Sequence, residues 1–183
     1  FLEYRNGRWG KAPLERPKMI LGSFGGAHIP LVKGAGPRVP LSKAPAGSSV
    51  RVSEGIEDGL TLAMADPRRR VVAAATLGNM GGIWLPDAIE AVELICQRDG
   101  EVRALRAAEA RGRGDTVEAA KHGEAAQQIE AALERAIGKL QTAGKRVACL
   151  WPHAGFKDFN DQLLGKRMDQ THDAAWGECA RRH

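Results

Sequence analysis

Short apolar runs with period two alternate along this chain with stretches of helical period. Ser49 to Ser53 places Val50 and Val52 on one side, the pattern of a half-buried strand. Residues 56 to 65 follow with helical spacing, and Asp66-Pro67 ends that helix. Val71 to Ala75 reads as a second strand. Gly78-Asn79-Met80-Gly81-Gly82 reads as a glycine-rich turn, and Pro86 to Ile89 as a short helical turn. Residues 91 to 96 form a third strand and residues 145 to 150 a fourth. Between them, a stretch rich in Ala, Glu and Arg carries Leu105, Val117, Ile129, Leu133, Ile137 and Leu140 at helical spacing. Gly112 to Asp115 divides it into two helices, or into a helix and an arm. A last helix covers Asn160 to Leu164. Strands alternating with helices predict an α/β domain with a mainly parallel sheet and helices on both faces.

The expected organisation has three parts. Residues 1–48, rich in Gly, Pro and basic residues, form an irregular, β-containing N-terminal extension that drapes over the domain. It starts with a hairpin whose turn is Asn6-Gly7 and includes an extended piece at Lys18 to Gly22 and a proline-rich loop from Gly34 to Gly47. Residues 49–165 form the domain proper, with 102–143 as a long helical insertion. Residues 166–183 form a tail, helical in part.

Composition narrows the picture modestly. Of 183 residues 43% are hydrophobic but only 5% aromatic, so the core must be built from Val, Leu, Ile and Ala. The net charge of +5 and a pI near 9.4 suit a polyanionic partner, but also ordinary surface charge. Cys96, Cys149 and Cys179 have no zinc-site spacing, and the first two lie in apolar runs that predict buried thiols. No run reaches the roughly 18 apolar residues of a membrane span. With no signal peptide visible, a cytoplasmic protein with no membrane partner is expected. No P-loop motif occurs, and His28, His122, His153, His172 and His183 have no ligand spacing.

The chemistry is suggested by where the acids fall. Glu54 closes the first strand and precedes Gly55, which lets the chain turn and a ligand approach. Asp58 follows four residues later. Gln97-Arg98-Asp99-Gly100-Glu101 follows the third strand, and Lys157-Asp158-Phe159-Asn160-Asp161 follows the fourth. Ligands of open α/β sheets bind beyond the carboxyl ends of the strands. Carboxylates gathered there need a cation, and magnesium (or manganese) with phosphate chemistry is the natural choice. For each acid a plainer role also exists: Glu54 as a helix-terminus charge, Asp158 as the cap of the last helix, Asp58 as a solvated helical residue. The same holds for Arg68-Arg69-Arg70, either a backbone-binding cluster or a solvated loop.

Four segments, in order, resemble the toprim domain of primases and primase-helicases of phages, plasmids and other mobile elements. They are Pro17 to Gly22 with Gly25-Gly26-Ala27, then Val52 to Leu60, then Leu77 to Ile83, then Gly155 to Leu164. Together they span most of the chain. The resemblance implies a toprim, Rossmann-like fold and magnesium-dependent nucleotidyl transfer in DNA replication, foremost primer synthesis. Glu54 and Asp99 would be catalytic, with Glu54 as acid-base group. Asp99, Glu101 and Asp158 would hold the metal, with Asp58 and Asp161 as further ligands or their supports. Gly55, Asn79, Arg98 and Lys157 would contact nucleotide or nucleic acid. Single-stranded DNA, nucleotides and a replicative helicase are the partners implied. The family's Asp-x-Asp pair is altered here: either Asp99 and Glu101 form it, or Gln97 and Asp99 do, with the first acid lost. The altered pair opens two other readings, a degenerate toprim module for nucleic-acid binding or protein assembly, and a toprim nuclease.

Overall fold

A computed structural model of the chain describes residues 2–5, 7–11 and 23–168. The lead-in segment 17–22, Cys179, His172, His183 and the tail beyond Met168 lie outside the described residues. Strands β1 (Leu2–Arg5) and β2 (Arg8–Lys11) form the expected antiparallel hairpin. Gly7 has φ +78° in its turn, a conformation that glycine adopts without steric cost.

A second sheet carries the domain. Its strands are β3 (Ile29–Val32), β4 (Ser48–Ser53), β5 (Val71–Ala73), β6 (Ile89–Ile95) and β7 (Arg146–Leu150), in the order β3-β5-β4-β6-β7. All neighbours are parallel except β3, which runs antiparallel to β5 at one edge. The extension therefore does more than drape over the domain, because Ile29–Val32 completes the sheet. Pro30 lies in that strand, where an edge position tolerates its missing N–H.

Alternation along the strands sorts side chains to two faces. Val50, Val52, Val72, Val92, Leu94 and Cys96 pack beneath Met80, Ala136 and Leu140, which come from α2 (Leu77–Met80) and α4 (Thr116–Thr142). Val71 and Ile95 face the other way, towards Ala63 of α1 (Ile56–Ala65) and Phe159 of α5 (Phe159–Leu163). The sheet is thus flanked by helices on both faces, an α/β fold with a mostly parallel five-stranded sheet.

Several elements differ from expectation. The glycine-rich turn is the short helix α2, because Thr76 Oγ1 accepts a hydrogen bond from the Asn79 N–H and caps it. Gly81 follows where the backbone of α4 comes so close that no Cβ fits. Of the two alternatives for the long stretch, the two helices form, as a hairpin of α3 (Asp99–Gly112) and α4 joined at Arg113 to Asp115. Its seam is small: Gly100, Ala107 and Ala110 on α3, Ala119 and Ala126 on α4, all buried. The C-terminal half of α4 packs on the sheet through Ala136 and Leu140, and α3 packs along the N-terminal half. Helix α3 begins at Asp99, so Asp99 and Glu101 stand in its first turn, where acids complement the helix dipole.

Candidate functional site

The helices after β4 and β6 leave to opposite faces: α1 covers one and α4 the other. The crevice between these neighbouring strands is the switch point at which open α/β sheets bind ligands. Glu54 follows β4, Gln97 follows β6, and both line one cavity of about 120 Å³. Its walls are Leu77, Met80, Ile129, Leu133 and Trp151, so it is chiefly apolar, and Asp99, Glu101 and Glu130 stand among its polar groups. The helical hairpin forms its roof.

Glu54 is half-buried at the tip of β4. Gly55 caps α1 with φ −98°, an ordinary value, so turning does not require glycine there. The space before it is open, as a Cβ would meet nothing within 4 Å. Asp58 is only 3% exposed. Its Oδ2 accepts from Gln97 Nε2 at 2.6 Å and its Oδ1 from the Asn160 N–H at 3.0 Å. Asp58 therefore ties α1 to the end of β6 and to α5. Burial raises its pKa above the ordinary 3.8; the Gln97 and Asn160 hydrogen bonds oppose that shift and the Asp158 charge adds to it.

Asp99 and Asp158 meet at a lysine. Lys157 Nζ lies 3.2 Å from Asp158 Oδ2 and 3.9 Å from Asp99 Oδ1. Burial disfavours the ammonium, but the charge of Asp99 and the hydrogen bond to Asp158 outweigh it and raise its pKa above 10.5. Asp158 also caps α5, its Oδ1 accepting from the Asp161 N–H at 2.7 Å. Burial, and then the charge of Asp158, raise the Asp161 pKa. Glu101 turns away to the Arg98 guanidinium. Positions two apart on a helix do not face each other, and Asp99 and Glu101 engage different cations. The residue at the strand end, facing the buried Asp58, is Gln97.

Two expected contact residues have their hydrogen bonds committed within the protein. Arg98 donates through Nε and Nη2 to the Pro152 carbonyl, at 3.3 and 3.1 Å, and its guanidinium lies 5.7 Å from the Trp151 ring centre. Asn79 is buried. Its Nδ2 donates to the carbonyls of Ala27 and Ala74, both at 2.9 Å, and its Oδ1 accepts from the Gly26 N–H. Arg68 and Arg69 pair with Asp66, and Arg70 donates to the Val39 carbonyl; all three precede β5, at the opposite end of the sheet from the cavity. Trp151 is the residue that sequence reasoning missed. It follows β7, lines the cavity and is 42% exposed.

The metal expectation can be tested against these donors. Among the described residues no three His, Cys, Asp or Glu side chains are grouped so as to hold a metal ion. An ammonium bridges the two best-placed carboxylates, and a neutral amide stands at the strand end. This donor set does not fit a magnesium centre built from Asp99, Glu101 and Asp158. Among the described residues no helix is long and apolar enough to cross a membrane. Compared with known protein families, curated proteins and solved structures, the chain matches none.

Proposed function

We propose that this chain is a toprim-like module that binds single-stranded nucleic acid or nucleotides at the carboxyl edge of its sheet without a complete magnesium centre. The carrying observation is the Lys157 ammonium between Asp99 and Asp158, where the resemblance calls for a dication. An internal cation neutralises the acids that a metal would otherwise have to neutralise. A crevice at the switch point, with Trp151 exposed at its wall, supports ligand binding there. The test is fluorescence anisotropy of a labelled single-stranded oligonucleotide, in EDTA and in magnesium. Equal affinity in both supports the reading, and binding that requires magnesium counts against it.

A second reading, magnesium-dependent primer synthesis, is favoured by one observation: Glu54 and Asp99 line the same cavity. Under it an ion would displace Lys157. Template-directed dinucleotide formation on single-stranded DNA would select it, and magnesium-dependent strand cutting would select a nuclease instead.

A further inference from the structure

The proline-rich loop and Arg70 take no part in the crevice above, yet together they build a second concavity. From Ser23 to Ser53 the chain holds Lys33, Arg38, Lys43 and Arg51 and not one Asp or Glu. Arg51 is neutralised by Glu93 and Asp66. Among the described residues Lys33, Arg38, Lys43 and Arg70 form no ion pair.

Packing gathers these cations. Gly34 has φ +74°, and a Cβ there would lie 2.7 Å from the Arg68 carbonyl oxygen and 2.9 Å from the Arg70 nitrogen. Only glycine lets the loop come this close. The Ala35 N–H donates to the Arg68 carbonyl and Arg70 Nη1 to the Val39 carbonyl, both at 2.9 Å. Lys33 Nζ reaches the Arg38 carbonyl at 3.4 Å. The loop is thereby fastened to the residues before β5, and Lys33 and Arg70 line one groove of about 380 Å³. The buried Leu41 and Val72 form its base, and Pro30, Pro40 and the exposed Trp84 its sides. His28 also lines it, and no acid does.

We propose that this groove docks an extended acidic segment of a partner protein. One apolar side chain of the segment seats against Leu41, Val72 and Trp84, and its carboxylates meet Lys33, Arg38, Lys43 and Arg70. The proposal goes beyond the carboxyl-edge crevice and does not rest on that reading. Uncompensated cations select an anionic partner, and cationic clusters are a recurring way to read acidic motifs. The apolar base selects a peptide over an inorganic phosphate or polyphosphate, which would leave Leu41, Val72 and the prolines without a contact. It also selects a peptide over a single strand. Successive bases need a row of aromatic faces, whereas most of this lining is aliphatic or proline.

The experiment is fluorescence anisotropy of a short labelled peptide of Asp and Glu with one central Leu, against the full chain at low salt. Two control peptides carry Asn and Gln in place of the acids, or Ser in place of the Leu. The acidic Leu peptide should bind, and each control should bind at least roughly tenfold more weakly. Trp84→Ala, and separately the pair Lys33→Glu with Arg38→Glu, should each weaken the acidic peptide by roughly tenfold. All three residues are exposed, so the melting temperature should stay at the parent's value. Single-strand binding at the carboxyl edge should be unaffected by these changes. No binding of the acidic peptide, or equal binding of the amide control, would overturn the proposal. So would a single-stranded oligonucleotide that displaces the peptide and loses its own affinity on Lys33→Glu with Arg38→Glu, since the groove would then belong to nucleic acid.

Discussion

Gly81→Ala is the most informative single change to the scaffold. Gly81 has φ −86° and ψ −3°, which any residue adopts, so conformational freedom is not what demands glycine. The demand is steric. A Cβ there would meet the Ala136 Cα most closely, and would lie 2.8 Å from its carbonyl oxygen and 3.0 Å from its carbonyl carbon. Carbon pairs rest at about 3.5 Å or more, so α2 and α4 must separate by at least about 0.5 Å. The opposing atoms are backbone and cannot rotate away, and Met80 and Ala136 beside them are fully packed. Overpacking costs about 1–3 kcal/mol, and a backbone clash belongs at the upper end, about 3 kcal/mol. For a chain of this size that is a melting-temperature fall of roughly 6–12 °C. Gly78 is the internal control: it lies in α2, and a Cβ there meets nothing within 4 Å. Gly78→Ala should be neutral or stabilising by about 0.5 kcal/mol. Thermal unfolding followed by circular dichroism reads both. A Gly81→Ala protein within a degree of the parent, or a Gly78→Ala protein that melts well below it, would refute the helix contact.

Asn79→Ala should cost about 3 kcal/mol, from three hydrogen bonds at roughly 1 kcal/mol each; urea unfolding measures it, and a loss of strand binding at unchanged stability would instead make Asn79 a ligand contact. Asp58→Ala should destabilise by about 3 kcal/mol by stranding the Gln97 amide and the Asn160 N–H. The folded pKa of Asp58 is raised, so the folded state holds its proton more tightly than the unfolded chain does. Ionised Asp58 therefore carries a penalty above the folded pKa, relieved as pH falls from that value towards 3.8; the loss on Asp58→Ala should grow across that window, and a constant or shrinking loss would contradict the burial argument. If Lys166 and Arg167 beyond α5 meet about two phosphates, log K should fall with log salt at a slope of roughly −1.4; a flat response would favour a protein partner.

Much of the scaffold was legible in period and punctuation. The apolar alternation at Val50 and Val52, and the break at Asp66-Pro67, mark β4 and α1 without tertiary information. Strand β3 was hidden because Pro30 argues against a strand, and only an edge position permits it. Helix α2 was hidden because its glycines spell a turn unless Thr76 is recognised as a cap. Helix α3 starts at Asp99, ahead of the expected 102, and Asp99 and Glu101 are the acids a first helical turn favours. Within the site, the gathering of acids at strand ends could be read, but their partners could not. Gln97 finds Asp58 across 39 residues and Asn160 finds it across 102, and no local spacing encodes such pairings. Trp151 had a faint signal, an aromatic just past a strand end, the position that Glu54 occupies after β4.

Lys157 stands between Asp99 and Asp158, where a dication would be expected. Calorimetric titration of magnesium into the full chain and into Lys157→Met tests this directly, since methionine keeps the bulk of the side chain and removes its charge. The parent should show no measurable binding. Lys157→Met, with Asp99 and Asp158 uncompensated, should gain binding that Asp99→Asn then abolishes. Tight magnesium binding by the parent, lost on Asp99→Asn or Asp158→Asn, would contradict the internal-cation account and restore the metal-dependent reading.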